Sequence, residues 1–102
     1  MARVLDAQNV VDKVLLTGGS GQMVSDESVY AWQRRLIREE GIYTEPAGAT
    51  SMSGLALAVE KGQVRPEDKI VCLVTASGFK DLKSIRAAVR DSVIPLIEVN
   101  AI

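Results

Sequence analysis

Between residues 46 and 59 no side chain carries a charge, and this stretch limits the possible folds more than any other. Ala, Gly, Ser, Met and Leu dominate from about residue 47 to residue 61, and Glu60 is the first ionisable group. The composition predicts a helix that Gly62 ends. A helix apolar on nearly every side needs cover on nearly every side. Gly48, Ala49, Ser51, Ser53 and Gly54 are small enough to let another backbone come close. That is a heavy demand on 102 residues, because a chain of this length buries only a modest core.

The neighbouring segments supply further elements. Ser25 can cap a helix whose first turn holds Asp26 and Glu27, both suited to the positive end of the dipole. Val29, Trp32, Leu36 and Ile37 recur on one face of that helix, and Gly41 fits the left-handed position after its last turn. Residues 10–16 read as a short strand or a buried turn, followed by the glycine-rich loop 17–21. Residues 65–68 read as a turn. Residues 69–74 form an apolar run expected of a strand covered on both faces. A third helix is expected over residues 81–90, with Leu82, Ile85 and Val89 on one face. A last strand is expected over residues 93–99, with Pro95 at an edge or bulge. This order predicts an α/β fold: a three-layer αβα-type partial open sheet with at least one parallel strand pair. The strand at 69–74, its helix and the last strand would make a right-handed crossover. Residues 1–102 read as a single domain or a fragment of one.

Several classes of function are excluded at this level. Twelve basic and 13 acidic residues are interspersed, for a net charge of -1, which gives no field for nucleic acid or an anionic membrane. No apolar run is long enough to cross a bilayer and the first residues lack a signal-peptide pattern, so a cytoplasmic location is expected. Cys72 is the only cysteine, which rules out an internal disulfide and a multi-cysteine metal site. The absence of histidine removes histidine-based triads and most zinc sites.

The remaining candidates lie in two loops. Thr75, Ala76, Ser77 and Gly78 follow the expected strand 69–74, and the C-terminal ends of strands are where open α/β sheets collect ligands. A hydroxyl there can meet a ring nitrogen or a phosphate, or it can simply cap the strand or the next turn. Glu45 precedes Pro46 at the start of the uncharged helix, where it can be a dipole partner or face a cleft. The run Gly18-Gly19-Ser20-Gly21 lacks the Lys-Ser/Thr pair of a phosphate loop and reads as a surface loop. Lys80 and Lys83 have no desolvated setting and read as solvated. Cys72 reads as an inert core residue.

Three segments in order carry a resemblance. Residues 38–49, Arg-Glu-Glu-Gly-Ile-Tyr-Thr-Glu-Pro-Ala-Gly-Ala, resemble a stretch of threonine synthases and threonine dehydratase-like enzymes. Residues 71–81, Val-Cys-Leu-Val-Thr-Ala-Ser-Gly-Phe-Lys-Asp, resemble the segment that follows in those enzymes, and residues 24–28 resemble the helix start before them. The set is similar to the C-terminal part of pyridoxal-phosphate (PLP) enzymes of the tryptophan-synthase-β fold type, and within them to threonine synthase. The resemblance implies that Thr75 meets the pyridine nitrogen of PLP, that Glu45 lies near the cofactor ring, and that Ser77 belongs to the same cofactor-binding loop. Ala76 and Ser77 depart from relatives that have glycine followed by histidine or asparagine. The Schiff-base lysine and the glycine-rich phosphate cup of these enzymes have no match here, since Lys13, Lys61, Lys69, Lys80 and Lys83 lie in no matching motif.

The resulting expectation is a segment that contributes the pyridine-nitrogen side of a threonine-synthase-like site and is not catalytic alone. The parent reaction would convert O-phosphohomoserine to threonine and phosphate. Its partners would be the remainder of the enzyme or a second copy, with an amino-acid substrate in the parent and no nucleic acid or membrane. The alternatives are a segment of a threonine or serine dehydratase and a non-catalytic α/β binding module.

Overall fold

A computed structural model describes residues 6–93. Its elements are α1 (Ala7–Leu16), α2 (Asp26–Glu40), α3 (Pro46–Glu60), a 3-10 turn (Gly78–Lys80) and α4 (Leu82–Val89). Among the described residues there is no strand and no sheet. The expected α/β sandwich with a parallel pair and a crossover is therefore overturned, and the architecture is helical.

The physical reason lies in pairing. A strand is held by hydrogen bonds to a neighbour, and no described segment offers residues 69–74 a ladder. They belong to no helix or strand, with Ile70, Val71 and Leu73 exposed and Cys72 and Val74 half-buried. Residues 10–16, expected as a strand or buried turn, belong to α1 instead. Side-chain bonds at helical spacing support that helix, from Gln8 to Asp12 at 2.8 Å and from Asn9 to Asp6 at 2.6 Å. None of its residues is buried. Of the expected last strand, residues 94–99 lie outside the described residues.

The core is the α2–α3 pair. Ser25 Oγ accepts from Ser28 N at 3.2 Å and Gly41 adopts φ 67°, so both ends of α2 form as the sequence predicts. Val29, Leu36 and Ala49 are buried together, and Val24, Trp32, Met52 and Val74 pack against them. Each fully buried aliphatic side chain contributes about 1.5–3 kcal/mol. On α3 the buried residues are Gly48, Ala49 and Ser53, and most of the rest is half-buried. The expected cover on nearly all sides is thus only partly supplied by the described residues. Ser28 and Ser53 close the polar gap between the helices with a 2.6 Å hydroxyl contact.

Helix α4 also packs on α2. Asp81 caps it, accepting from Ser84 N at 3.1 Å, and Arg38 Nε donates to Ala88 O at 2.9 Å. Ala88 is buried and Ile85 and Val89 are half-buried, while Leu82, expected on the inner face, is exposed. The radius of gyration is 17.3 Å, against about 13 Å for a compact domain of this length. Much apolar surface therefore stays in solvent. Among the described residues no helix is long and apolar enough to cross a membrane.

Candidate functional site

The two loops singled out in the sequence meet at the N-terminus of α3. Thr44, wholly buried, lies between α2 and α3, and its Oγ1 donates to Thr75 O at 2.8 Å. Gly78 N donates to Tyr43 O at 2.9 Å, and the Tyr43 and Phe79 rings stack 6.1 Å apart at 9°. Residues 43–45 and 75–79 are thereby fastened side by side, although 31 positions separate Thr44 from Thr75.

Two glycines make this approach possible. A Cβ on Gly48 would overlap Thr44 Oγ1 and Thr75 O. A Cβ on Gly78 would stand 2.7 Å from Ile85 Cδ1 and 3.0 Å from Thr44 O. Gly48 also sits inside a helix, where glycine costs about 1 kcal/mol relative to alanine. The close approach explains why it is there. A third anchor is Gln33, which is 1% exposed on the apolar face of α2. Its Nε2 donates to Thr44 O at 2.9 Å and to Ser84 Oγ at 3.1 Å, so it ties the loop 43–45 to α4.

Each predicted site residue can now be placed. Thr75 is exposed, and among the described residues its hydroxyl has no protein partner while its carbonyl is held by Thr44. Ala76 has φ 60°, the left-handed region, which costs a non-glycine residue about 1–2 kcal/mol. Glu45 caps α3 by position but makes no side-chain capping bond. Its carboxylate is 25% exposed and stands 4.0 Å from Lys80 Nζ. Ser77 Oγ accepts from Phe79 N at 3.3 Å and caps the 3-10 turn, which is a local structural role. Thr75 and Glu45 thus share one junction, and Ser77 sits beside it. Lys80 is 68% exposed and stands next to a carboxylate. Among the described residues no group of side chains is suited to a metal ion.

Sequence reasoning caught Gly48 as a point of close approach and missed Thr44, Gly78 and Gln33. A buried glutamine on an apolar stripe leaves a visible signal, since α2 carries Gln33 next to Trp32 and three positions before Leu36. Nothing local marks Thr44, because its partner is distant in sequence.

A PLP ring nitrogen needs a donor with a free hydrogen at an open position. The Thr75 hydroxyl meets that requirement, on a carbonyl fixed by Thr44 and a backbone bent by Ala76. The described residues therefore fit one wall of a PLP site. They do not assemble a phosphate cup or a desolvated lysine.

Comparison with known proteins bears on the family. The family model described as pyridoxal-phosphate dependent enzyme matches residues 4–76, which includes Thr75 and stops short of Ser77. The threonine synthase of Methanocaldococcus jannaschii is 37% identical over 92 residues, covering 90% of this chain and 22% of that protein. That of Methanosarcina acetivorans is 33% identical over 81 residues, covering 79% of the chain and 20% of the relative. That of Mycobacterium bovis is 42% identical over 57 residues, covering 56% and 16%. The chain spans about a fifth of the length of the first two of these relatives. No solved structure gives a significant match. On the extent of the family match, the chain belongs to the pyridoxal-phosphate dependent enzymes and is threonine synthase-like.

Proposed function

We propose that this chain supplies the pyridine-nitrogen wall of a PLP site in a threonine synthase-type enzyme, and that further polypeptide supplies the attaching lysine and the phosphate cup. The observation that carries the reading is the Thr75 hydroxyl, exposed and free, at a loop held against the N-terminus of α3 by Thr44 and Gly48. When bound, PLP supplies an electron sink for charge that develops on an amino-acid substrate. Thr75 would donate to the ring nitrogen. As a neutral donor it would leave that nitrogen without a proton of its own. Glu45, at the same junction, would set the charge near the ring. The substrate of the complete enzyme would be O-phosphohomoserine, with threonine and phosphate as products.

The exposed side chains of Ile70, Val71 and Leu73 support the need for further polypeptide. An extended apolar segment with open edges is stabilised when a neighbouring strand pairs with it.

A chimera tests the proposal. The matched stretch of the Methanocaldococcus jannaschii threonine synthase is replaced by this chain, and phosphate release from O-phosphohomoserine is measured. Activity in the chimera, and its loss on Thr75→Val with PLP still bound, is the expected result. Full activity in the Thr75→Val chimera would remove Thr75 from the site. A 2-oxo acid released from threonine or serine, with no phosphate release, would make the parent a dehydratase.

A further inference from the structure

A second candidate site lies between α2 and α4. The groove there has a volume of about 340 Å³, within the roughly 300–1,000 Å³ of small-molecule sites. Thr75, Glu45 and Ser77 do not line it.

Its chemistry is asymmetric. Arg34 from α2 and Lys83 from α4 bring two cations to the groove, and among the described residues neither is in an ion pair. Asp81 brings a carboxylate, of which Oδ1 accepts from Ser84 N and Oδ2 has no protein donor among the described residues. Gln33 adds a fixed acceptor. Among the described residues its two hydrogen bonds both use Nε2, on a side chain that is 1% exposed. Gln33 lines the groove. Tyr30 and Ala87 supply apolar wall.

Each part selects a ligand group. A guanidinium and an ammonium together suit a carboxylate. A carboxylate oxygen and an amide carbonyl are both acceptors, and together they suit an ammonium donor. The apolar wall suits a hydrocarbon side chain. We propose that the α2–α4 groove binds a free α-amino acid with an apolar side chain, its carboxylate toward Arg34 and Lys83 and its ammonium toward Asp81 and Gln33 Oε1. The site is separate from the junction at Thr75, and it shares with that junction one side chain, Gln33, whose Nε2 holds Thr44 O.

The test is a nuclear magnetic resonance titration of the isotope-labelled full chain with three probes. L-Leucine carries both charged groups, isocaproate lacks the ammonium, and isoamylamine lacks the carboxylate. Saturable shifts of the Gln33 side-chain amide and of the Tyr30 and Ala87 resonances are expected with L-leucine. Each analogue is expected to bind about tenfold or more weakly. Arg34→Gln should weaken L-leucine and leave isoamylamine unchanged. Asp81→Asn should weaken L-leucine and leave isocaproate unchanged, and asparagine still caps α4. No saturable shift with L-leucine up to about 50 mM would overturn the proposal. So would isocaproate binding as tightly as L-leucine, which would make the groove a plain anion site.

Discussion

The same methyl group added at two positions of α3 should move stability in opposite directions. Gly54 faces open space, since a Cβ there meets nothing nearer than Gln22 Cβ at 3.9 Å. Gly54→Ala therefore keeps the helix-propensity gain of about 1 kcal/mol. At Gly48 the added Cβ overlaps Thr44 Oγ1 and Thr75 O, both held by their mutual hydrogen bond. Relieving the overlap means displacing the loop, at about 1–3 kcal/mol for overpacking. Loss of the Thr44–Thr75 bond adds about 1 kcal/mol. Set against the propensity gain, Gly48→Ala is destabilising by about 1–3 kcal/mol. For a domain of this size each kcal/mol shifts Tm by about 4–8 °C. Thermal melts followed by the helical circular dichroism signal should place Gly54→Ala above the parent and Gly48→Ala below it. If both variants melt on the same side of the parent, the close approach of Thr75 to α3 is refuted.

Three more outcomes follow from the same contacts. Thr44→Val keeps the shape of a wholly buried side chain but removes the donor to Thr75 O, so urea unfolding should show a loss of about 1–3 kcal/mol, with Thr44→Ser closer to the parent. Ala76→Gly relieves a left-handed φ of 60° and should raise the urea midpoint, with a net gain of about 0.5–1 kcal/mol after the entropy of glycine is counted. The Arg35 side-chain hydrogen bond holds the Glu39 carboxyl below its ordinary value, and Glu39 in turn raises Arg35. A depressed carboxyl pKa stabilises the folded state above the unfolded pKa and loses that contribution as pH falls through the folded one. The stability difference between the parent and Glu39→Gln, measured by urea unfolding across pH, should therefore be constant near neutrality and vanish in acid. A constant difference at all pH values would count against the ion pair.

What was legible in the sequence was local. Ser25, Gly41 and Gly62 mark helix ends by chemistry that acts within a few residues, and those ends fall as read. The turn at 65–68 is of the same kind, with Asp68 Oδ2 accepting from Arg65 N at 2.8 Å. Thr75 and Glu45 were legible as candidates, and the contacts that hold their two loops together were not. Thr44, Gly78 and Gln33 act across 11 to 51 positions of chain, where no local pattern reaches.

The strand assignments that fall on the described residues failed for a reason that bears on function. An apolar run such as 69–74 states what would cover it if it were covered; it does not supply the cover. A helix satisfies its backbone from within the segment, so α2, α3 and α4 form wherever their own residues permit. A strand needs another chain segment for every hydrogen bond, and the described residues provide none for 69–74. The same six residues lead directly into Thr75, whose hydroxyl is the group that the proposed function sets against the cofactor. A missing ladder and the proposed cofactor contact therefore meet at one point of the chain. Under the proposed function both are completed together, because polypeptide that pairs with 69–74 also fixes the direction in which Thr75 leaves it.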